Sequence, residues 1–300
     1  MSDADHLAQG HHVVEVEGLA QSYHVVGNGP VCVAHSGGPG IDWEYMRAPQ
    51  LERHLTMVYL EPIGTGASGR LPEHPRGYTT ERYSLQLNSF LDVINVDDVL
   101  LLGHSHGGFV VQEAALTSST RIAGVVLYAT SAVTGSEFMQ AAGRAVEAYC
   151  ARRADTFEGR SVAEAWKAIP EISDDADYTA AMRGLLPVYF VDANVGGVAY
   201  ERLHKSLVAT LVVGGSGPFD VRDRLAGLKT PTLILVGEHD FICGPRWARI
   251  LQDHLPDESF KAFGSSGHFI HLEEPDEFAD EIRRFSGMVQ GREQSATNPV

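Results

Sequence analysis

The chain contains 300 residues, of which 44% are hydrophobic and 21% are charged, and its formal net charge is −16. A chain of this length and composition folds around one sizeable core with room for an inserted subdomain, so we do not expect disorder over most of its length. The charge comes from 39 acidic against 23 basic residues, and no Lys/Arg cluster concentrates a positive field anywhere along the chain. This pattern argues against nucleic acid as a partner.

The cysteines and the N-terminus bear on the cellular setting. Cys32, Cys150 and Cys243 are widely spaced and form no CxxC pair, which favours buried free thiols over zinc or redox chemistry. The polar, acidic start at Met1 lacks the basic flank and apolar core of a signal peptide. No apolar run approaches the roughly 20 residues that span a bilayer. We therefore expect a cytoplasmic protein without a membrane partner.

In chain order, the first predicted elements are two strands that alternate polar with apolar residues, at 13–17 and 23–26, followed by a turn signal at 27–30. They predict an antiparallel hairpin at one edge of a sheet. Strands buried on both faces are apolar almost throughout, and five such runs follow, at 31–34, 57–60, 99–102, 125–128 and 233–236. A weaker last strand is predicted at 259–263.

Helical periodicity fills the intervals between these strands. Apolar residues recur at three- and four-residue spacing at Leu87, Phe90, Leu91 and Ile94, and the same pattern returns over 278–289. Both segments predict amphipathic helices packed on the sheet. The alternation of strands and helices predicts an α/β fold, with a mostly parallel eight-stranded sheet covered by helices on both faces.

Residues 135–215 break this alternation, because they combine helical character with many acidic residues and several aromatic ones: Trp166, Tyr178, Tyr189, Phe190 and Tyr200. We interpret this stretch as a helical cap inserted between strands, and an ordinary set of packing helices is the alternative. The predicted division is a core of residues 1–134 and 216–300 around a cap of residues 135–215. The short polar ends, 1–12 and 290–300, are expected to be mobile.

The strongest chemical signal is a G-x-S-x-G pattern between a predicted strand and a predicted helix, in the segment Gly103-His104-Ser105-His106-Gly107-Gly108. A serine there lies on a sharp turn, and Gly103 and Gly107 remove side chains that would collide where strand and helix meet. The turn therefore presents the Ser105 hydroxyl to a substrate. An incidental serine in a glycine-rich turn is the alternative.

A serine hydroxyl needs a base to remove its proton and a carboxylate to orient that base. In this strand–turn–helix layout the nucleophile comes first in the chain, the acid second and the histidine last. Asp240 follows the strand at 233–236, and His268 lies in a glycine-rich loop after the last predicted strand. We predict that Asp240 and His268 complete the set. The competitors are Glu238 for the acid, and for the base the histidines His239 and His271.

A second glycine-rich loop, His35-Ser36-Gly37-Gly38-Pro39-Gly40, follows the strand at 31–34. We predict that the backbone N–H groups of Gly38 and His106 stabilise the oxyanion of a tetrahedral intermediate, a contribution of up to about 3 kcal/mol per donor. A plain turn is the alternative. Phosphate binding is disfavoured because no Gly-Lys-Ser/Thr ending is present. His104 and His106 flank a tight turn and diverge, so shared metal ligation is not expected.

These residues resemble the α/β-hydrolase superfamily, and more narrowly its proline iminopeptidase-like group of serine peptidases and amide hydrolases, over about residues 20–288. The loop from Ser36 to Gly40 looks like the family's HGGPG segment, with Ser36 in place of histidine. The run Glu61-Pro62-Ile63-Gly64-Thr65-Gly66-Ala67-Ser68 is similar to its D-x-x-G-x-G-x-S segment.

The chain departs from the family peptidases at two places. They have DQRG where this chain has Glu61-Pro62-Ile63-Gly64, and G-G-S-W-G-G around the nucleophile, so strict prolyl-peptide specificity is not expected. The resemblance implies that acidic cap residues hold the substrate's free amino terminus, although solvated surface is the alternative for each of them. The candidates are Glu137, Glu147, Glu158, Glu164, Glu171, Asp174, Asp175 and Asp177.

The leading functional hypothesis is hydrolysis of an amide through a covalent acyl-enzyme, without a metal ion or an organic cofactor. Ser105 is the nucleophile, His268 the general base and Asp240 the orienting acid. An aminoacyl amide or a peptide N-terminus is the first choice of substrate, and hydrolysis of a small-molecule ester or lactone is the main alternative. A ligand-binding protein of the same fold is the third hypothesis, since fold alone does not give function. The residues that bind the substrate and the oligomeric state are not predicted.

Overall fold

The computed structural model describes residues 6–118, 121–192, 197–214 and 217–297, with side chains described up to residue 291. Within these residues one sheet contains eight strands: β1 (Gly10–Val16), β2 (Leu19–Val26), β3 (Val31–His35), β4 (Thr56–Leu60), β5 (Val99–His104), β6 (Ile122–Tyr128), β7 (Thr232–Gly237) and β8 (Glu258–Phe263). Their spatial order is β1-β2-β4-β3-β5-β6-β7-β8. The β1–β2 and β2–β4 pairs are antiparallel and all other neighbours are parallel, which confirms the predicted fold class.

The predicted edge hairpin is formed by β1 and β2. Val16 pairs with Leu19 across a two-residue turn, in which Glu17 and Gly18 both have positive φ, 51° and 74°. Turns of this kind match the right-handed twist of the flanking strands. The turn signal at 27–30 instead connects β2 to β3.

The helices are α1 (Pro49–Glu52), α2 (Thr80–Ile94), α3 (His106–Thr117), α4 (Ser136–Arg152), α5 (Phe157–Ala168), α6 (Asp175–Tyr189), α7 (Gly197–Ser206), α8 (Arg222–Leu225), α9 (Pro245–His254), α10 (Ile270–Glu273) and α11 (Pro275–Thr297). Two short 3-10 helices span Trp43–Met46 and Ile169–Glu171.

The sheet separates two hydrophobic cores, because side chains of the central strands alternate between its faces. In β5, Leu101 joins the core on one face and Leu100 and Leu102 the core on the other. Phe90 of α2 packs into the first core and Phe285 of α11 into the second. Both amphipathic helices predicted from the sequence therefore cover the sheet, on opposite faces.

Helices α4 to α7 follow one another between β6 and β7, in the stretch interpreted as a cap. The aromatic ring of Tyr178 on α6 reaches the glycine-rich loop after β3, where its hydroxyl donates to the carbonyl oxygen of Pro39 at 2.8 Å. In the same region the amide of Thr210 donates to the carbonyl oxygen of Gly40 at 2.8 Å. The division into core and cap stays a prediction, and its second boundary, at residues 215 and 216, lies outside the described residues.

The ends of the chain differ from expectation. Strand β1 begins at Gly10, so residues 10–12, assigned to a mobile end, pair with β2. Helix α11 continues to Thr297, through most of the other predicted polar end. Glu, Gln, Arg and Ala are good helix formers, which extends a helix beyond its apolar stripe. Residues 1–5 and 298–300 lie outside the described residues. Among the described residues, no helix has the length and apolar character needed to cross a membrane.

Candidate active site

Ser105 occupies a sharp turn between β5 and α3. Its backbone has φ 53° and ψ −119°, a conformation that a residue with a side chain rarely adopts. The turn is tight enough that a Cβ atom on Gly103 would collide with the backbone of Gly107, and a Cβ atom on Gly107 with the carbonyl oxygen of His35. The structure thus places the predicted nucleophile at the carboxyl edge of the sheet, on the strained turn that the sequence pattern indicates.

Asp240 and His268 are joined by a buried hydrogen bond. The Nδ1 atom of His268 lies 2.7 Å from Oδ2 of Asp240, and the two side chains are 3% and 0% exposed. The other carboxylate oxygen accepts from the backbone N–H groups of Ile242 and Cys243, both at 3.0 Å. Because the carboxylate accepts, the neutral form of this imidazole carries its proton on Nδ1.

The competing residues lie elsewhere. Glu238 and His239 are exposed, and Nε2 of His239 donates to the carbonyl oxygen of Gly264 at 3.1 Å. His271 is buried, but both of its ring nitrogens are engaged away from Ser105. Of the acids and bases considered, the structure brings together Asp240 and His268.

Ser105 and His268 line a small cavity of about 100 Å³ together with residues of α6. Gly38 also lines it. Most of the remaining wall is apolar or aromatic, and it includes Ile41, Tyr178, Met182, Tyr189, Leu207 and Phe269. Among the described residues that form this wall there is no Asp, Glu, Lys or Arg. The described wall around Ser105 is therefore mostly apolar and carries no Asp, Glu, Lys or Arg side chain.

The acidic cap residues suggested by the family resemblance do not line this cavity in the described part of the chain. The Glu137 side chain is exposed and pairs with Arg246. Asp174 accepts from the amide of Asp177 at 2.8 Å and caps α6. Asp175 accepts from the amide of Leu211 at 2.7 Å. The structure therefore gives these three acids local structural partners.

The glycine-rich loop after β3 reaches the cavity at Gly37 and Gly38. The amide N–H of Gly37 donates to the Tyr45 hydroxyl at 2.6 Å, so it is already engaged. The amide of His106 is the first of α3, where N–H groups have no acceptor within the helix. The His106 ring packs away from the cavity wall, with its centroid 5.5 Å from that of Tyr83. An oxyanion site made by the amides of Gly38 and His106 stays a prediction.

Sequence reasoning missed a chain of hydrogen bonds that ties three loops of the site together. The Tyr45 hydroxyl accepts from Gly37 and lies 2.6 Å from Nδ1 of His104. Nε2 of His104 lies 3.1 Å from the carbonyl oxygen of His268, to which it donates. His104 is therefore protonated on Nε2, and the Tyr45 hydroxyl donates to Nδ1. These hydrogen bonds join the glycine-rich loop after β3, the turn at Ser105 and the loop that carries His268.

His271 makes a second connection of the same kind. Its Nε2 donates to the carbonyl oxygen of Tyr45 at 2.7 Å, and its Nδ1 lies 2.8 Å from the Tyr128 hydroxyl. Burial lowers the pKa of His271 to about 4. Burial, followed by the charges of His268 and His271, lowers the pKa of His104 well below its usual range. Both imidazoles are thus neutral structural groups near pH 7.

Cys243 is a further neighbour of the nucleophile that the sequence did not reveal. Its thiol lies close enough to the Ser105 side chain to interact with it. Burial raises the pKa of this thiol well above its usual range, and the charge of Asp240 acts in the same direction. Cys32 and Cys243 are buried free thiols as predicted, whereas the free Cys150 is only half-buried. The one available signal was the position of Cys243 three residues after Asp240.

The sequence matches the family described as the alpha/beta hydrolase fold over residues 29–275, and the chain therefore belongs to this family of hydrolases. It is 24% identical over 287 residues to a proline iminopeptidase of Lactobacillus crispatus, covering 89% of this chain and 94% of that one, which confirms the predicted resemblance. It is also 24% identical over 270 residues to a 2-hydroxy-6-oxo-2,4-heptadienoate hydrolase of Pseudomonas putida, covering 86% and 89% of the two chains. The crystal structure of an esterase from a Rhodococcus species superposes with a TM-score of 0.72 at 19% identity, over 94% of this chain and 100% of that one.

The hydrogen bonds of the Tyr45 hydroxyl can be tested by Tyr45→Phe. This substitution removes the hydroxyl and leaves the Gly37 amide and the His104 ring without their shared partner. We expect the free energy of unfolding in urea to fall by about 1–3 kcal/mol, the cost of unsatisfied buried polar groups. Tyr200→Phe, on α7, is the matched control. Equal effects of the two substitutions would contradict the role given to Tyr45.

The crowding at the nucleophile turn can be tested with two glycine substitutions. Gly107→Ala places a Cβ atom against the backbone of His35, and we expect a loss of about 1–3 kcal/mol or more in unfolding free energy. Gly287→Ala, in open space on α11, should instead stabilise the protein by about 0.5–1 kcal/mol. Denaturant titration of both variants checks the contrast, and a Gly107→Ala variant as stable as the parent would rule out the proposed crowding.

The buried neutral histidines predict how stability depends on pH. Burial lowers the pKa of His35, like that of His271, from 6.5 to about 4 in the folded protein. Below pH 6.5 the unfolded chain therefore binds protons that the folded chain does not, and stability falls as the pH is lowered towards 4. Burial raises the pKa of Glu273 to about 7, which acts in the opposite direction, but the buried histidines outnumber it. Urea unfolding at pH 7.0, 6.0 and 5.0 should therefore show a progressive loss. A flat profile over this window would contradict the neutral assignment.

Proposed function

We propose that this hydrolase is a serine hydrolase that forms an acyl-enzyme on Ser105, with His268 as general base and Asp240 as the group that orients it. The observation that carries this proposal is the buried 2.7 Å hydrogen bond between Asp240 and His268, on a histidine that shares a cavity with the strained serine. A carboxylate held by two backbone amides keeps the imidazole in the tautomer whose Nε2 accepts a proton.

The proposed reaction has two halves. Ser105 Oγ attacks the substrate carbonyl while Nε2 of His268 takes the hydroxyl proton, and the resulting oxyanion accepts hydrogen bonds from the amides of Gly38 and His106. Collapse breaks the bond to the leaving group, which receives the proton from His268. A water molecule, deprotonated by the same nitrogen, then attacks the acyl-enzyme ester. When this second intermediate collapses, His268 returns the proton to Ser105 Oγ and the carboxylic acid leaves. Nucleophile, base and oxyanion donors all come from the chain, so the proposed reaction uses neither a metal ion nor an organic cofactor.

For the substrate we propose a small-molecule ester or amide whose acyl group is uncharged and apolar. The described cavity wall has no carboxylate to accept an ammonium group and no cationic side chain to accept a carboxylate. Burying either charge there without a partner is costly. The aminoacyl amide favoured by the sequence is the alternative, and the similarity to a proline iminopeptidase of Lactobacillus crispatus supports it.

A panel of p-nitrophenyl esters and p-nitroanilides tests the proposal. One set carries uncharged acetyl or butyryl groups, and the other carries aminoacyl groups. We expect turnover of the uncharged acyl substrates, with release of p-nitrophenol or p-nitroaniline, and a loss of about 10⁴-fold or more in kcat for Ser105→Ala. Preferred turnover of the aminoacyl substrates would favour the alternative. Tight binding of a ligand without turnover by the unmodified chain would contradict the enzyme and favour the ligand-binding hypothesis.

The orienting role of Asp240 predicts a second result. Asp240→Asn replaces the acceptor facing His268 and favours the wrong imidazole tautomer, so kcat should fall by about 10⁴-fold with little change in KM. Glu238→Gln, two residues away on an exposed side chain, is the control and should retain activity within about twofold. Activity of Asp240→Asn close to that of the parent would exclude Asp240 as the orienting acid.

A further inference from the structure

Two histidines face each other across the hairpin at the edge of the sheet. His11 on β1 and His24 on β2 are paired in the antiparallel register. Directly opposed residues have their Cβ atoms about 4.5–5.5 Å apart and project from the same face. The two imidazole rings are stacked, with centroids 4.7 Å apart. The register of the hairpin therefore places two potential metal ligands side by side.

Glu61, the residue directly after the neighbouring strand β4, adds a carboxylate. His24 is paired with Tyr59 of β4. Glu61 lies two residues beyond Tyr59, and because successive side chains of an extended chain point to opposite faces of the sheet, it lies on the same face as Tyr59. The Oε1 atom of Glu61 is 2.6 Å from Nε2 of His24. The second carboxylate oxygen accepts from the amide of Ala67. One oxygen thus holds the loop that follows β4, while the other faces the histidine pair.

The three side chains lie close to the arrangement that a divalent transition metal requires. One ligand atom from each of His11, His24 and Glu61 lies within 4.8 Å of the others. Tetrahedral Zn²⁺ with bonds of about 2.0–2.1 Å needs its ligand atoms about 3.4 Å apart. His11 is exposed at the edge strand, so its ring needs to shift by roughly 1 Å, exchanging its 2.8 Å contact with the Ser22 hydroxyl for the metal.

The surroundings favour a cation and fix the central ligand. The Asp42 carboxylate is close enough to interact electrostatically with Glu61, Glu44 and His24. On the side of His24 away from His11, the Trp43 ring stacks at 3.9 Å with an interplanar angle of 19°. His24 is therefore held between two rings with its Nε2 directed at a carboxylate, in a chain whose net charge is −16.

We propose that His11, His24 and Glu61 bind one Zn²⁺ ion, with water as the remaining ligand, at the β1–β2–β4 edge of the sheet. The site is separate from the residues assigned to hydrolysis and does not depend on that assignment. Because its ligands come from β1, β2 and the residue after β4, and come together only in the folded chain, bound Zn²⁺ stabilises the fold by linkage.

Titration of the chelator-treated full chain with ZnCl₂, in competition with a chromogenic zinc chelator, tests the proposal without any substrate. We expect one site per chain, weakened at least about tenfold in His11→Ala, His24→Ala and Glu61→Gln. His12→Ala is the matched control, since His12 is on the same strand but stacks on Tyr23, on the opposite face. Zn²⁺ should raise the Tm of the parent and of His12→Ala, but not that of His11→Ala.

Three results would overturn the proposal. The parent chain could fail to compete with the chelator for Zn²⁺, His12→Ala could weaken Zn²⁺ binding as much as His11→Ala does, or Zn²⁺ could raise the Tm of His11→Ala as much as that of the parent. If Glu61→Gln fails to fold, the His11→Ala variant still decides, because its side chain is exposed. The measurements require no hydrolytic activity, so failure of the zinc site and failure of the proposed hydrolase reaction are distinguished.

Discussion

The backbone turn at Ser105 is the constraint on which the rest of the site depends. A residue with a side chain at positive φ costs about 1–3 kcal/mol, and such a conformation persists only where its surroundings fix it. Here the Ser105 amide donates to Tyr128 on the neighbouring strand at 3.0 Å, and its carbonyl oxygen accepts from Gly108 and Thr130. These bonds hold the peptide from both sides, and the hydroxyl is left to project from the carboxyl end of the sheet.

The loops around this turn are not paired in the sheet, so they need a different connection. Tyr45 supplies it, because its hydroxyl joins Gly37 to His104 and its carbonyl oxygen accepts from His271. In a region of low dielectric constant, such bonds are strong when every donor meets an acceptor and costly when one does not. Neutral imidazoles suit this role because each offers one donor and one acceptor. Two of the histidines near Ser105 therefore act as structural links between loops.

Charge is distributed unevenly over the molecule. The described wall of the candidate active-site cavity is uncharged, whereas acidic side chains such as Glu137 and Asp174 lie at the surface of the cap with local partners. The proposed hydrolysis uses this mostly apolar cavity, where hydrogen bonds to a developing oxyanion are stronger than in water. The proposed zinc site uses the opposite condition, a sheet edge where the buried Glu61 carboxylate faces His24 and where His11 is exposed. The proposed hydrolysis thus depends on a described cavity wall without charged side chains, and the proposed zinc site on a region with acidic ones.

The sequence by itself determined the fold class, because apolar runs of strand length and amphipathic repeats report directly which faces are buried. It also placed Ser105, Asp240 and His268 at the ends of their strands, since chain order fixes which loops meet at the carboxyl edge of a parallel sheet. It did not reveal the link from His104 to His268, which lie 164 residues apart, or the pairing of His11 with His24. Those contacts depend on strand register and loop closure, which bring distant residues together without leaving a local pattern in the chain.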